Sequence, residues 1–371
     1  MTADTRTDIV VLGGGYAGLT AALRLAPRHR VTLVDPRDRF VERIRSHQVA
    51  AGQDGAVHPY RKLLAGTGIR HVAGRAVALD PAGRTVAVET GDGHRLDLGY
   101  QRLVYALGSR TRVPALVPAP ATAGATRVYS AETAAALAAR LAGRDAPVGR
   151  LAVVGGGLTG IEMATELAEA HPDLEIRLLT AGTLAATLSE PARDHLRATL
   201  DRLGVEVEEG SAVDDPDRVD ADAVLWSAAM APATELAAEA GLALDEQHRI
   251  RVDAALRSVS HPEIVVAGDA GAGWRMACAT AMPTGAHAAG TILREARGVP
   301  ARPFHLKYVL VCMSLGRSDG LVQVLHRDDR PRDLVLTGRP AARVKELIVS
   351  GTAGLLGYAG KHPAALRALL F

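Results

Sequence analysis

With 371 residues, 48% of them hydrophobic and 23% charged, the chain is long enough for two or three domains with a large buried core. A net charge of +2, with scattered arginines and no basic stripe interleaved with aromatics, excludes nucleic acid as the main partner. No run of about twenty uncharged apolar residues offers a bilayer-spanning helix, and the two cysteines, Cys278 and Cys312, form neither a C-x-x-C nor a metal-ligand pattern.

Aromatics make up only 3%, so Ala, Val and Leu must build the core. The polar start Met1–Asp8 does not read as a secretory signal, and with so few cysteines a cytoplasmic protein is expected. The apolar run Ile9-Val10-Val11-Leu12 predicts a buried strand, and Gly13-Gly14-Gly15-Tyr16-Ala17-Gly18 follows it. In this Gly-x-Gly-x-x-Gly pattern Gly13 permits the tight turn, Gly15 lets the backbone approach a pyrophosphate, and Gly18 lets helix and strand pack closely. A helix over Ala17–Ala26 then presents free N–H groups to the phosphates. Arg30–Asp35 is the next strand, and Asp35 stands about twenty residues past the first glycine, where a carboxylate accepts from a ribose. Arg75 to Tyr105 reads as a small antiparallel insert, with Val77-Ala78-Leu79 and Thr85–Val88 flanking the turn at Asp80–Gly83. Leu103–Gly108 returns to a buried strand, and Thr111–Ala125 reads as a domain crossing.

The glycine pattern then recurs. Leu151–Val154 is followed by Gly155-Gly156-Gly157-Leu158-Thr159-Gly160, and strands over Glu175–Leu179, Val205–Glu208 and Ala223–Trp226 alternate with helices over Leu158–Glu169 and Pro191–Leu203. Such alternation predicts a second parallel sheet. Two such turns in one chain suggest two dinucleotides, one able to reduce the other. Ile264–Ala267 ends in Gly268-Asp269, a further nucleotide-site signal. Beyond Phe304 the pattern changes to strands over Tyr308–Leu315 and Gly320–Leu325 and to helices over Ala341–Gly357 and Pro363–Leu370.

Gly13–Gly18 with Asp35, Ala106-Leu107-Gly108, Gly155–Gly160 followed by Glu162, Trp226-Ser227-Ala228 and Gly268-Asp269 resemble, in this order, the flavoproteins with two dinucleotide-binding domains. The chain looks most like the type II NADH:quinone oxidoreductases and the apoptosis-inducing-factor-like flavoproteins; Cys312–Arg317 with Asp319–Gln323 is similar to the start of their C-terminal domain. The resemblance implies an α/β fold of two Rossmann-like domains and a small α+β C-terminal domain. The expected boundaries are 1–115 with 245–300 for FAD, 116–244 for NAD(P)H and 301–371 for the acceptor side. It implies non-covalent FAD on Gly13, Gly15, Gly18, Asp35, Arg43, Val77, Gly108, Asp269 and Ala281. NAD(P)H as co-substrate would lie on Gly155, Gly157 and Gly160, bordered by Thr180 and Ala228, with Glu162 toward the nicotinamide side. Two departures stand out. Thr180 is neither the acid of an NADH site nor the Arg of an NADPH site, and Ala228 replaces the family's usual small-Gly step after Trp226, where it crowds the nicotinamide entry.

The expected reaction carries hydride from NAD(P)H to FAD and on to a quinone or similar two-electron acceptor, with no redox disulfide. Pro283 suits the first turn of a helix running to Arg297, whose positive end would stabilise charge at the flavin pyrimidine, with Met282 beside it. His47, in Arg43–Gln48, reads either as a group that protonates the acceptor or as part of a solvated Arg/His face. His58 and His287 read as ordinary polar residues. Two alternatives stay open: an FAD-dependent oxidase or dehydrogenase of a small secondary metabolite with a weakened NAD(P)H site, and a slow redox-linked binding flavoprotein. Glu346–Gly357 is apolar, with Arg343 and Lys345 before it and Lys361 after. It fits either a peripheral contact with the inner face of a membrane, basic residues toward head groups, or a buried packing or homodimer helix.

Overall fold

The computed structural model describes residues 8–55, 57–114, 127–143 and 148–361, with side chains to Tyr358 in the last helix. The expected helix over Pro363–Leu370 and most of the expected crossing Thr111–Ala125 lie outside these residues. The architecture is α/β, as the glycine turns and strand alternation imply. Four all-buried residues make Ile9–Leu12 an inner strand of a seven-stranded sheet. Parallel neighbours flank it on both sides, Val31–Asp35 on one and Arg102–Tyr105 then Ile264–Val266 on the other. Arg70–Asp80 starts parallel to Val31–Asp35 and continues outward into an antiparallel meander with Thr85–Thr90 and Arg95–Gly99. The register shifts between Ala76 and Ala78, which leaves Val77 as the extra residue of a bulge.

The second sheet has five parallel strands in the order Val128–Ser130, Ala223–Trp226, Arg150–Val154, Glu175–Thr180 and Val205–Glu209. Both sheets reverse order at their glycine strand, so each has the switch point where nucleotides bind in open α/β sheets. A third, antiparallel sheet of Leu310–Ser314, Gly320–Leu325 and Pro331–Thr337 carries the helix Gly338–Lys361. Where the chain crosses from the first sheet to the second and back, Ser109–Thr111 and Met230–Pro232 pair as a two-stranded antiparallel ribbon.

Small side chains set the core packing. The helices Tyr16–Leu25 and Cys278–Glu295 lie against each other so closely that a Cβ on Gly285 would stand 2.2 Å from the Ala17 carbonyl oxygen. The helix Cys278–Glu295 corrects the sequence expectation. Pro283 sits at its sixth position, not in its first turn, because the helix begins at Cys278. Pro283 has no N–H for the Ala279 carbonyl, and the kink-prone step is braced by Thr284, whose hydroxyl lies 2.7 Å from the Thr280 carbonyl and accepts the Gly268 N–H at 2.9 Å.

Candidate active site

A cavity of about 1020 Å³ opens at the carboxyl ends of the first sheet's strands. Gly13, Gly15, Asp35, Arg43, Val77, Gly108, Asp269 and Ala281 all line it. Each glycine of the first turn has a separate cause. Gly13 has φ +94°, and a Cβ there would meet the Ala106 carbonyl oxygen at 2.4 Å; a Cβ on Gly18 would strike the Gly13 carbonyl oxygen at 1.8 Å. Gly15 has nothing within 4 Å of its missing Cβ, so its open side faces the cavity. Val77, displaced from the ladder by the bulge, turns to the same space.

Asp35 is buried at the cavity edge. It accepts the Gly14 N–H at 2.8 Å and the forked Arg37 guanidinium at 2.9 and 3.0 Å. Burial works against its charge, but Arg37 and the Gly14 N–H outweigh it and hold the carboxyl below the usual range. Tyr60 closes the turn from behind, its hydroxyl donating to the Gly14 carbonyl at 2.7 Å. Sequence reasoning missed both Arg37 and Tyr60; the only local signal was Arg37's place two residues after Asp35. Arg43 does more than line the cavity, for it donates to the Ser109 carbonyl at 2.6 Å and pairs with Glu132 at 2.6 Å.

The cavity fits an extended cofactor. Asp269 accepts from the Ser109 hydroxyl at 2.6 Å through Oδ2, while its buried Oδ1 has no partner among the described residues. An orphaned buried acceptor that lines a cavity calls for a ligand hydroxyl. Gly108, at φ +71°, leaves the wall open beside it. Cys278 and Ala281, in the first turn of Cys278–Glu295, also line the cavity, so that helix presents its positive end there. Met282 does not; it is buried in the core between that helix and the glycine helix.

The second glycine turn repeats the backbone logic. Gly155 has φ +119°, and its Cβ would stand 2.7 Å from the Ala228 backbone nitrogen. A Cβ on Gly160 would strike the Gly155 carbonyl oxygen at 1.9 Å, while Gly157 is open. Thr180 packs on Gly156, where a Cβ would meet its own at 2.7 Å. Beside Ala228, it is Ala229 that adopts the left-handed conformation, φ +57°, in which glycine is at ease.

Glu162 and His47 meet in a separate polar cluster. Lys345, from the C-terminal helix, pairs with Glu162 at 2.9 Å, and the Ser314 N–H donates to the same carboxylate at 3.0 Å. Burial opposes charge on both partners, but each holds the other charged, Glu162 shifted down and Lys345 up. His47 is buried, does not line the cavity, and has no partner for Nε2 among the described residues. Burial pushes its pKa down to about 4, partly offset by Glu162 and reinforced by Lys345, Arg317 and Arg45. The solvated Arg/His face considered from sequence is therefore not present. Cys278 stands exposed on the cavity wall, where the Asp269 and Glu162 charges work against its thiolate and Lys345 and Arg43 favour it. Cys278 and Cys312 are both free.

A family model described as pyridine nucleotide-disulphide oxidoreductase matches residues 7–285. The chain belongs to this family. It is thereby an oxidoreductase that uses FAD with NAD(P)H as co-substrate, although the disulphide of the family's name has no counterpart in its two free cysteines. An NADH dehydrogenase-like protein of Mycobacterium tuberculosis is 28% identical, covering 92% of this chain and 93% of its own. A demethylphylloquinone reductase of Synechocystis is 28% identical over 77% of each chain. Among solved structures, the sulfide:quinone oxidoreductase of Aquifex aeolicus matches with a TM-score of 0.75 at 17% identity, covering 98% of this chain and 96% of that one, which shows the shared fold.

Proposed function

We propose that this oxidoreductase passes reducing equivalents from NAD(P)H to a quinone without a thiol relay. The observation that carries the reading is the Glu162–Lys345 ion pair with buried His47 beside it, set where the second glycine helix meets the C-terminal helix. Quinone reduction places negative charge on the acceptor, and this cluster holds the Lys345 ammonium where the second glycine helix meets the C-terminal unit. The demethylphylloquinone reductase among the relatives is quinone-linked by name. Residues 1–115 with 245–300 form the FAD-binding unit in this reading, 116–244 the NAD(P)H-binding unit and 301–371 the acceptor side.

Gly13 and Gly15 give a pyrophosphate its approach, Asp35 a ribose its acceptor, Asp269 Oδ1 a ribityl hydroxyl its acceptor, and Ala281 with the helix end a site for negative charge. FAD, when bound there, supplies the two-electron centre between nicotinamide and acceptor. Gly155, Gly157 and Gly160 seat the co-substrate with Thr180 and Ala228 at its edges. Lys345 stays charged beside Glu162 at neutral pH and gives the acceptor side a fixed positive charge.

Anaerobic stopped-flow absorbance separates the two half-reactions. The double variant Glu162→Gln/Lys345→Met avoids stranding one buried charge, which alone costs about 3–5 kcal/mol. It is expected to bleach with NADH as the parent does and to recover at least about tenfold more slowly with a soluble quinone. Recovery at the parental rate would remove the cluster from the acceptor half-reaction. Replacing both cysteines by Ser is expected to leave both rates intact.

The acceptor side carries a proposed membrane contact on the inner face. The helix Gly338–Lys361 buries Ala341, Val349 and Leu356 and exposes Leu347 (73%) and Ile348. Lys345 corrects one expectation: it points inward to Glu162 and is not available to head groups, so Arg343 alone of that pair is exposed. No helix among the described residues is long and apolar enough to cross a membrane. Flotation with anionic vesicles that is lost in Leu347→Glu/Ile348→Glu supports the contact; a parent that never floats but elutes as a dimer assigns the face to self-association.

A further inference from the structure

A second cavity, of about 650 Å³, lies between the carboxyl end of Tyr16–Leu25, the helix Cys278–Glu295 from Pro283 onward and the segment 302–306. Its rim is built from Arg24, Arg28, Arg294, Arg297 and Arg302, and no carboxylate among the described residues lines it. The neighbouring acid, Glu295, points to a different set of partners, Arg102 at 3.0 Å and Arg257 at 3.1 Å. Arg294 is partly used, donating to the Pro300 carbonyl at 2.7 Å, but Arg28, Arg297 and Arg302 have no carboxylate partner among the described residues. Two histidines, His287 and His305, complete the ring.

The floor differs from the rim. Phe304 is held by its N–H to the Ala254 carbonyl at 2.7 Å and packs edge-on against Trp274 and His287, ring centroids 5.8 and 5.1 Å away. Leu293 and Pro283 continue an apolar wall, and Gly290, under the Arg24 guanidinium, leaves the middle of the floor without a side chain. Guanidinium forks match phosphate geometry, and an aromatic and apolar wall suits a planar body; the volume lies in the range of small-ligand sites. An inorganic anion would leave that wall uncovered. Like-charge crowding is felt inside the ring: burial lowers the pKa of His287, and the charges of Arg24 and His305 lower it further against the His287 bond to the Arg302 carbonyl.

We propose that this cavity, lined by no residue of either glycine turn, is a third nucleotide site, binding a nucleoside polyphosphate with its phosphates on Arg28, Arg297 and Arg302 and its base against Phe304. The site shares both helices with the large cavity, whose wall takes Gly15, Tyr16 and Ala281 from their amino ends, so its occupant would press on the elements that frame the redox site.

The test is calorimetric titration of ATP, free of divalent cations, into FAD-loaded protein with saturating NAD+ so that both glycine turns are filled. One ATP per chain is expected, weakening steeply with salt. Tripolyphosphate should bind about tenfold more weakly, and adenosine should give no heat. Arg28→Glu/Arg297→Glu and, independently, the cavity-filling Gly290→Leu should each weaken ATP at least about tenfold while keeping FAD absorbance and the thermal transition. Absence of ATP binding, or binding unchanged in both variants, would overturn the proposal. So would tripolyphosphate equal to ATP, which makes this an inorganic-anion site, or phosphatidic acid vesicles captured by protein that ignores ATP, which makes it a lipid headgroup site.

Discussion

The two glycine turns are near copies in backbone and opposites at the rim. Both place a glycine with positive φ at the strand exit, both butt the third glycine against the first one's carbonyl, and both leave the middle glycine open. At the first turn the polar groups around the glycines are held, Asp35 by Gly14 and Arg37, the Gly14 carbonyl by Tyr60 and one oxygen of Asp269 by Ser109. At the second, the corresponding strand ends in an uncharged Thr180, and the exit of Ala223–Trp226 carries a left-handed alanine where the first unit has Gly108. Two positions past the third glycine, the first helix has buried Thr20 and the second has Glu162, committed to Lys345. A rigid, pre-bonded rim suits a cofactor that stays; a plainer rim suits a co-substrate that must leave each cycle.

The largest effect should come from filling the open glycine at each turn. Gly15→Val is expected to yield folded, colourless protein, with FAD affinity down at least about a hundredfold, some 2.7 kcal/mol. Gly157→Val should stay yellow and fail to bleach with NADH. A yellow Gly15 variant, read by absorbance, would dissolve the distinction between the turns.

A smaller effect concerns His47, packed beside the Glu162 that distinguishes the second helix. With its pKa lowered to about 4 from an unfolded value near 6.5, the native state stays neutral while the unfolded chain takes up a proton. Stability should therefore fall as pH drops from about 6.5 toward 4, by at most about 3 kcal/mol from this group, and change no further from it below that. Urea unfolding of the parent and of His47→Gln should diverge in this window alone; parallel curves would place the proton elsewhere.

Next in size is the strand end. Thr180→Asp supplies the acid that the second rim lacks and should shift the ratio of kcat/KM for NADH over NADPH about tenfold toward NADH. An unmoved ratio would show that Thr180 does not border the ribose. The smallest effect is Ala229→Gly, which relieves the left-handed alanine and should stabilise by about 0.5–1 kcal/mol in thermal unfolding, whereas Gly108→Ala at the matching place should destabilise.

Much of this was legible because local geometry leaves a local trace. Gly13, Gly18, Gly155 and Gly160 are glycines for reasons contained within a few residues of turn and helix, so their pattern announced both sheets. Asp35 and Asp269 followed from their strand ends. Lys345 was not legible as Glu162's partner because 183 positions separate them and only the docking of the third sheet brings them together; read as part of a helix, it looked like a surface cation. Pro283 misled for the opposite reason. A local rule placed it in a first turn, while the Thr284 hydroxyl and close packing on Ala17 allowed the helix to begin five residues earlier. His47 followed the same pattern, its burial decided by helices distant in sequence.

The ribbon of Ser109–Thr111 and Met230–Pro232 has a mechanical consequence. The outgoing and returning crossings are bonded to each other, Arg112 N–H to the Ala229 carbonyl at 2.9 Å and Ala233 N–H to the Gly108 carbonyl at 2.9 Å, and Arg43 fastens Ser109 to Glu132 beside them. Two tethers joined edge to edge resist torsion and sliding far more than bending across their flat face. The two crossings therefore act as one braced connection, and Ala50 and Ala51, packed in the core of the second unit, hold the two units together a second time.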